Sequence, residues 1–217
     1  MRCATVVVLA ACSHAPAKPA APAGPTFDVP FAANAPVVDG VIDAAEWAGA
    51  ATTTVGGLTL RFLHDRTQVY VAVEHPEPMG FTCVLLAKPS GVRVLHASAK
   101  LGSALYIATP SGAYDPMFKD YAWRDAAAMQ REEHWRATTM KTGAPPAQEF
   151  AIDLAALGPL AVSHFHSKPD AQDLAEAKII VWPAGLDDGA ANVQLIAGFN
   201  PGGQRFDTQR WITLVPR

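Results

Sequence analysis

Apolar and polar residues alternate in short runs along most of the chain. Leu58, Leu60 and Phe62 alternate with Thr59 and Arg61, and Val69, Val71 and Val73 with Tyr70, Ala72 and Glu74. Phe81, Cys83 and Leu85 share another face, and Phe150, Ile152 and Leu154 alternate with Glu149, Ala151 and Asp153. Similar runs lie at 92–96, 104–109, 134–140, 178–182, 193–199 and 210–215. A period of two puts one set of side chains on each face of a strand, so these runs predict half-buried antiparallel strands. Roughly ten such strands, separated by Gly, Pro, Asp and Asn, predict an all-β fold, an antiparallel β-sandwich with one or two short helices. Helical signals are few. Asp43 and Glu46 have capping-box spacing and predict a helical turn. Residues 120–133 predict the one longer helix, capped by Asp120 and favoured by its alanines. A shorter helix is expected after Asp170.

The first residues follow a different pattern. Arg2 precedes an apolar run from Ala4 to Ala11, too short to span a membrane and laid out like a secretory signal. Its end, Leu9-Ala10-Ala11-Cys12, resembles the lipobox of bacterial lipoproteins. That resemblance implies cleavage of residues 1–11 and lipid on Cys12. Ser13 after it implies sorting to the outer membrane, and so a lipid-anchored location in the cell envelope. Several acyl chains on one cysteine hold far more firmly than one, since each buried methylene contributes about 0.8 kcal/mol. Residues 12–26 then read as a tether. Pro16, Pro19, Pro22 and Pro25 recur among alanines, a composition that favours extended polyproline II and reaches roughly 40 Å at ~3.1 Å per residue. Residues 27–217 form the predicted β-sandwich domain.

Composition narrows the function classes. Half of the 217 residues are apolar, 17% are charged, and the formal net charge is -3. The chain is too apolar to be wholly disordered and lacks the basic footprint of a nucleic-acid binder. Three cysteines are too few for a disulfide scaffold. With Cys3 in the signal and Cys12 lipidated, Cys83 is expected to act as a small core hydrophobe.

The domain opens with Pro36-Val37-Val38-Asp39-Gly40-Val41-Ile42-Asp43-Ala44-Ala45-Glu46-Trp47, and Asp65 leads into the strand Val69-Tyr70-Val71-Ala72-Val73. Gln148-Glu149-Phe150-Ala151-Ile152-Asp153-Leu154 and Arg210-Trp211-Ile212-Thr213-Leu214 follow in order. This series resembles the family 9 carbohydrate-binding module and its DOMON-like superfamily. Asp153 departs from it, standing where the family usually has proline. The resemblance implies a sandwich of about ten strands and leaves function open, because related domains bind sugars, bind haem or have no known ligand. Read from the residues alone, Asp39-Gly40 suits a tight turn, while Asp43 and Glu46 cap a helical turn that points Trp47 inward against Tyr70. These residues read as structural.

Candidate chemistry lies elsewhere. Sugars need aromatic faces and planar polar groups, and aromatics cluster between Tyr114 and Trp135. Tyr121, Trp123, Trp135 and Trp182 are therefore the candidate ligand-binding residues, with core packing as the competing role for each ring. Asp39, Asp43, Glu46, Asp187 and Asp188 are the oxygen-rich candidates for structural calcium, the one metal considered beside an expectation of no cofactor. His164-Phe165-His166 would set two imidazoles on one face of a strand, as zinc or copper requires, but no third ligand is evident. No hydrolase, metalloprotease or nucleotide-binding motif is present. The expectation is a non-enzymatic, envelope-anchored lipoprotein whose sandwich binds a glycan or another envelope component. The alternatives are a protein-interaction module without small ligand and a haem-binding redox domain.

Overall fold

The structure is a computed structural model that describes residues 24–76, 80–124, 126–139, 147–166, 178–186, 189–192 and 203–217. The signal, Cys12, most of the tether, strand candidate 193–199 and the helix expected after Asp170 lie outside these residues. The described strands are β1 (Thr26–Val29), β2 (Ala51–Val55), β3 (Leu58–His64), β4 (Gln68–Glu74), β5 (Gly80–Lys88), β6 (Gly91–Ala97), β7 (Leu101–Ala108), β8 (Tyr114–Arg124), β9 (Trp135–Ala137), β10 (Ala147–Asp153), β11 (Leu160–His166), β12 (Lys178–Trp182) and β13 (Thr213–Pro216). Two short helices accompany them, α1 (Ala126–Glu133) and α2 (Gly189–Asn192).

The strands form a five-stranded sheet in the order β2-β3-β4-β10-β9 and a six-stranded sheet in the order β12-β11-β5-β6-β7-β8. All pairings within these two sheets are antiparallel, and β1 pairs with β13 in parallel. The fold is all-β and sandwich-like, as the period-two pattern predicts. One face of each large sheet feeds a common core. Leu58, Leu60, Phe62, Val69, Val71, Val73, Phe150 and Ile152 enter it from one side. Val84, Leu86, Leu95, Leu160, Val162 and Ile180 enter from the other.

The strands are less amphipathic than half-buried strands should be, and packing gives the reason. The outer face of the six-stranded sheet carries Cys83, Leu85, Val92, Val94 and Tyr106, and the late chain covers it with Leu186, Ala190, Phe206 and Trp211. The outer face of the five-stranded sheet carries Leu63, Tyr70, Ala72 and Ala151, and the early segment covers it with Ala32 and Trp47. Strands β4 and β5 are therefore buried on both faces.

The early segment is fastened by one carboxylate. Glu149 Oε2 accepts hydrogen bonds from the amides of Asp39 (3.0 Å) and Gly40 (2.7 Å), and Oε1 accepts one from Trp47 Nε1 (3.0 Å). Gly40 reaches this geometry at φ +87°, a conformation that disfavours side chains. Asp43 Oδ1 accepts from the amides of Ala45 and Glu46, which caps the turn and carries Trp47 inward beside Tyr70. Two motifs about a hundred residues apart are thus one bonded unit. Asp153, the departure from the family pattern, accepts from Gln68 Nε2 at the end of β10.

The helix expected over 120–133 is the main correction. Residues 120–124 belong to β8, where Ala122, Trp123 and Arg124 pair with Ser103, Gly102 and Leu101 of β7. Among the described residues of 120–133, helix is confined to α1. An open strand edge, together with the β preference of Tyr121 and Trp123, outweighs the capping signal at Asp120.

Candidate binding site

The sandwich interior turns polar at one end. On β4 the inward row Val69, Val71, Val73 continues one step past the strand to His75. On β11 the inward row Leu160, Val162 continues to His164 and His166. On β5, Thr82 lies opposite His164. The two rows lose their hydrophobic residues at the same level, so three imidazoles meet between the sheets. Ring centroids are 4.2 Å apart for His75 and His166, 5.3 Å for His75 and His164, and 6.2 Å for His164 and His166. All three residues are buried, at 4%, 5% and 6% exposure for His75, His164 and His166.

His164 is the innermost of the three in its bonding. Its Nδ1 lies 2.9 Å from Thr82 Oγ1, while its Nε2 is buried without a hydrogen-bond partner. Burial lowers its pKa to about 3, with the neighbouring His75 and His166 adding to the shift. The ring is therefore neutral at ordinary pH. The backbone of Gly80 packs against it, since a Cβ there would sit 2.9 Å from Nε2.

Beside this cluster a pocket of about 540 Å³ opens to solvent. Its walls are the Gly56-Gly57 turn between β2 and β3, His75 and Pro76 after β4, His166 at the end of β11, and Lys178, Ile179 and Ile180 of β12. Both glycines of the turn have positive φ, and Gly57 passes close to His75, since a Cβ there would lie 3.7 Å from Nε2. Lys178 pairs across the strands with His166, which sets an ammonium stem beside an imidazole. The pocket joins polar donors to an apolar wall, the combination typical of small-molecule sites of this size.

The predicted aromatic residues are placed otherwise. Trp135 is 1% exposed and Trp182 is 6% exposed. Trp135 stacks on Phe150 with centroids 6.3 Å apart, and Trp182 packs against Phe62 at 5.2 Å and Phe27 at 5.7 Å. Neither ring offers a face to a ligand, because each fills the space between the sheets. Tyr121 and Trp123 occupy alternate positions on β8, an edge strand, and their side chains lie outside the described residues. Strands β8 and β12 are at opposite edges of the six-stranded sheet, five spacings or roughly 24 Å apart.

The carboxylates proposed for calcium serve the backbone where they are described. Asp39 Oδ1 accepts from the amide of Val41, and Glu46 Oε2 from that of Val37. Asp187 and Asp188 lie outside the described residues. No group of three His, Cys, Asp or Glu among the described residues is arranged to hold a metal ion. The three histidines included are a stack, with rings 20–34° from parallel, rather than a fan around one centre. Cys83 is buried beneath the late chain, as a core hydrophobe should be. Its Sγ lies 3.2 Å from His96 Nδ1, and burial pushes its thiol pKa well up.

The sequence reading found two of the three histidines and missed His75 and Lys178. The signal for His75 was present, since it continues the period-two row of valines by one step. Nothing in the sequence pairs that row with the row ending at His166.

No protein-family model matches the chain, nor does any curated protein. Among solved structures the chain is similar to a family 9 carbohydrate-binding module from Caldicellulosiruptor kristjanssonii in complex with cellotriose. The identity is 12% and the TM-score 0.47, over 88% of this chain and 94% of that one. It is similar in the same way to that organism's family 9 module in complex with glucose, at 12% identity and a TM-score of 0.46, over 88% of this chain and 97% of that one.

Proposed function

We propose that the chain is a non-catalytic, lipid-anchored envelope protein whose β-sandwich binds a saccharide in the pocket beside His75 and His166. The observation that carries this reading is the end of the sandwich itself. Inward rows that are apolar elsewhere become imidazoles there, beside an open pocket with an isoleucine wall. A sugar needs both kinds of surface, donors for its hydroxyls and an apolar wall for its C–H face. The one described thiol is buried and held in its protonated form, which leaves it unfit as a nucleophile. The Leu9-Ala10-Ala11-Cys12 segment and the Pro/Ala tether support envelope anchoring, in which a domain fixed at one end samples ligands near the membrane.

Calorimetric titration of the chain with mono- and disaccharides tests the binding. Saturable binding that falls at least tenfold in His166→Ala is expected, and a panel without any binding sugar would overturn the reading. Anchoring is tested separately. Cys12→Ala should release the chain from the membrane fraction, and continued membrane association would refute lipid attachment.

A further inference from the structure

We propose that β2 is an interface strand, which pairs edge to edge with β2 of a second copy of this chain in a two-fold dimer. The proposal does not depend on the saccharide reading above.

The edges of the sheets carry it. An unpaired edge presents free N–H and C=O groups, and proteins guard such edges with charge, proline or a bulge. The described edge strands follow that rule with one exception. Strand β8 carries Asp115, Pro116 and Lys119, β12 carries Lys178, and β9 is three residues long around Arg136. In the two-stranded sheet β1 carries Asp28 and β13 carries Pro216. Strand β2 reads Ala51-Thr52-Thr53-Thr54-Val55, with no charge or proline and a regular register. No charged residue stands anywhere from Ala48 to Leu60.

The pairing with β3 fixes which groups are free. Gly56 and Gly57 have φ +57° and +90°, as a two-residue type I′ hairpin requires. Such a turn is closed by Val55 and Leu58 as a hydrogen-bonded pair, and alternation makes Thr53 with Leu60 and Ala51 with Phe62 bonded pairs too. The amides and carbonyls of Thr52 and Thr54 therefore point away from the sheet. None of these four groups has a hydrogen-bond partner among the described residues, and both threonines are exposed.

The symmetry of the strand selects its occupant. Antiparallel pairing about a two-fold axis through Thr53 sets Thr52 opposite the partner's Thr54, and Thr54 opposite the partner's Thr52. Both positions carry outward groups, so each opposition exchanges two N–H···O bonds, about four in all. Thr53 meets the partner's Thr53 as a non-bonded pair. A foreign strand would be met by the main chain alone. Self-pairing also matches threonine with threonine at all three positions and brings no like charges together. The small area makes this a reversible contact. The Gly56-Gly57 turn that ends β2 is also a wall of the candidate pocket, so one dimer presents two pockets.

Cysteine crosslinking of the full chain in intact cells tests both the pairing and its register, with the parent chain as background. In a non-bonded antiparallel pair the Cα atoms lie about 4.5 Å apart, within disulfide reach. Thr53→Cys should therefore give a covalent dimer under mild oxidation. Thr52→Cys or Thr54→Cys alone should not, because like positions lie roughly 9 Å apart, beyond that reach. Coexpressed, these two variants should crosslink to each other. Adding Thr52→Lys and Thr54→Lys to Thr53→Cys should remove most of the dimer. Coexpression with a Thr53→Cys chain carrying Thr52→Glu and Thr54→Glu should restore it. Positions 52 and 54 are exposed, so circular dichroism should show these variants folded. No dimer from either Thr53→Cys or the coexpressed pair would overturn the proposal. So would equal crosslinking at all three single positions, or a Thr53→Cys adduct with a different protein in place of the dimer.

Discussion

Two buried polar clusters sit on this sandwich, and they are built on opposite terms. At Glu149 three donors meet one carboxylate, and both oxygens are used. At the histidine end, three imidazoles stack beside an open pocket, and His164 keeps a buried nitrogen without a partner. The first cluster closes a structural joint between an early segment and a central strand. The second leaves one buried nitrogen, His164 Nε2, without a hydrogen-bond partner. A satisfied buried polar network specifies a fold, whereas an unsatisfied one is tolerated where it does something else. The two clusters should therefore respond in opposite ways to the same kind of substitution.

The largest effect is expected at the joint. Glu149→Leu leaves the Asp39 and Gly40 amides and the Trp47 indole without their acceptor. A buried donor left unsatisfied costs about 1–3 kcal/mol, so three of them, not fully additive, cost about 3–5 kcal/mol together. For a domain of this size that lowers Tm by roughly 6–20 °C. Burial raises the Glu149 pKa while the Gly40, Trp47 and Asp39 donors oppose the rise, so the carboxylate is held by those bonds against its own desolvation. A thermal melt that moves by less than 2–3 °C would show the joint to be dispensable. Trp47→Phe removes one of the three bonds and should cost about 1–2 kcal/mol.

The next effect is acid sensitivity, and it belongs to histidine rather than to Glu149. Burial holds His164 at about 3 and His96 at about 3, against about 6.5 for an unfolded histidine. Between those values the unfolded chain binds a proton that the folded chain does not, so stability falls as pH falls. The slope is roughly 1.4 kcal/mol per pH unit for each such group, from about pH 6 downward. Asp65 adds to the loss at lower pH. Burial would raise its pKa, but bonds from Thr67, the Gln68 amide and Tyr70 outweigh that and hold it at about 2. Urea melts between pH 7 and 4 should show the decline, and His164→Gln should remove one group's share of the slope. A flat profile in the parent protein would contradict the burial of both rings.

How much of this was legible in the sequence depends on how local the signal is. Period-two rows such as Val69, Val71 and Val73 fixed strand identity and facing, because alternation is a property of one strand. The capping spacing at Asp43 and Glu46 likewise produced the turn it predicts. Residues 120–124 were misread, since a helix cap is local whereas the free edge of β7 is not. Trp135 and Trp182 were misjudged for the same reason, as an aromatic ring carries no sequence mark saying whether a second sheet covers it. The histidine end was half legible. His164 and His166 announce themselves by spacing, and only the packing of β4 against β11 across the core supplies His75.

A smaller effect separates stability from binding. His75→Leu continues the valine row with an apolar residue, so its stability change should stay within about 1 kcal/mol. Saccharide affinity should nonetheless drop by tenfold or more in calorimetry. Should His75→Leu instead unfold the chain as Glu149→Leu does, the contrast between the two clusters would collapse, and the histidines would count as core.

The smallest effect is expected on β8. Tyr121 and Trp123 stand on the opposite edge of the six-stranded sheet from Lys178, roughly 24 Å away across five strand spacings. No monosaccharide spans that distance. Tyr121→Ala and Trp123→Ala should therefore change monosaccharide affinity by less than twofold, while His166→Ala abolishes most of it. The comparison becomes sharper with longer ligands. An oligosaccharide that loses affinity in Trp123→Ala, when its monosaccharide unit does not, would mark β8 as a second contact surface. A monosaccharide that loses affinity in Trp123→Ala but not in His166→Ala would move the site from the histidine end to the aromatic edge.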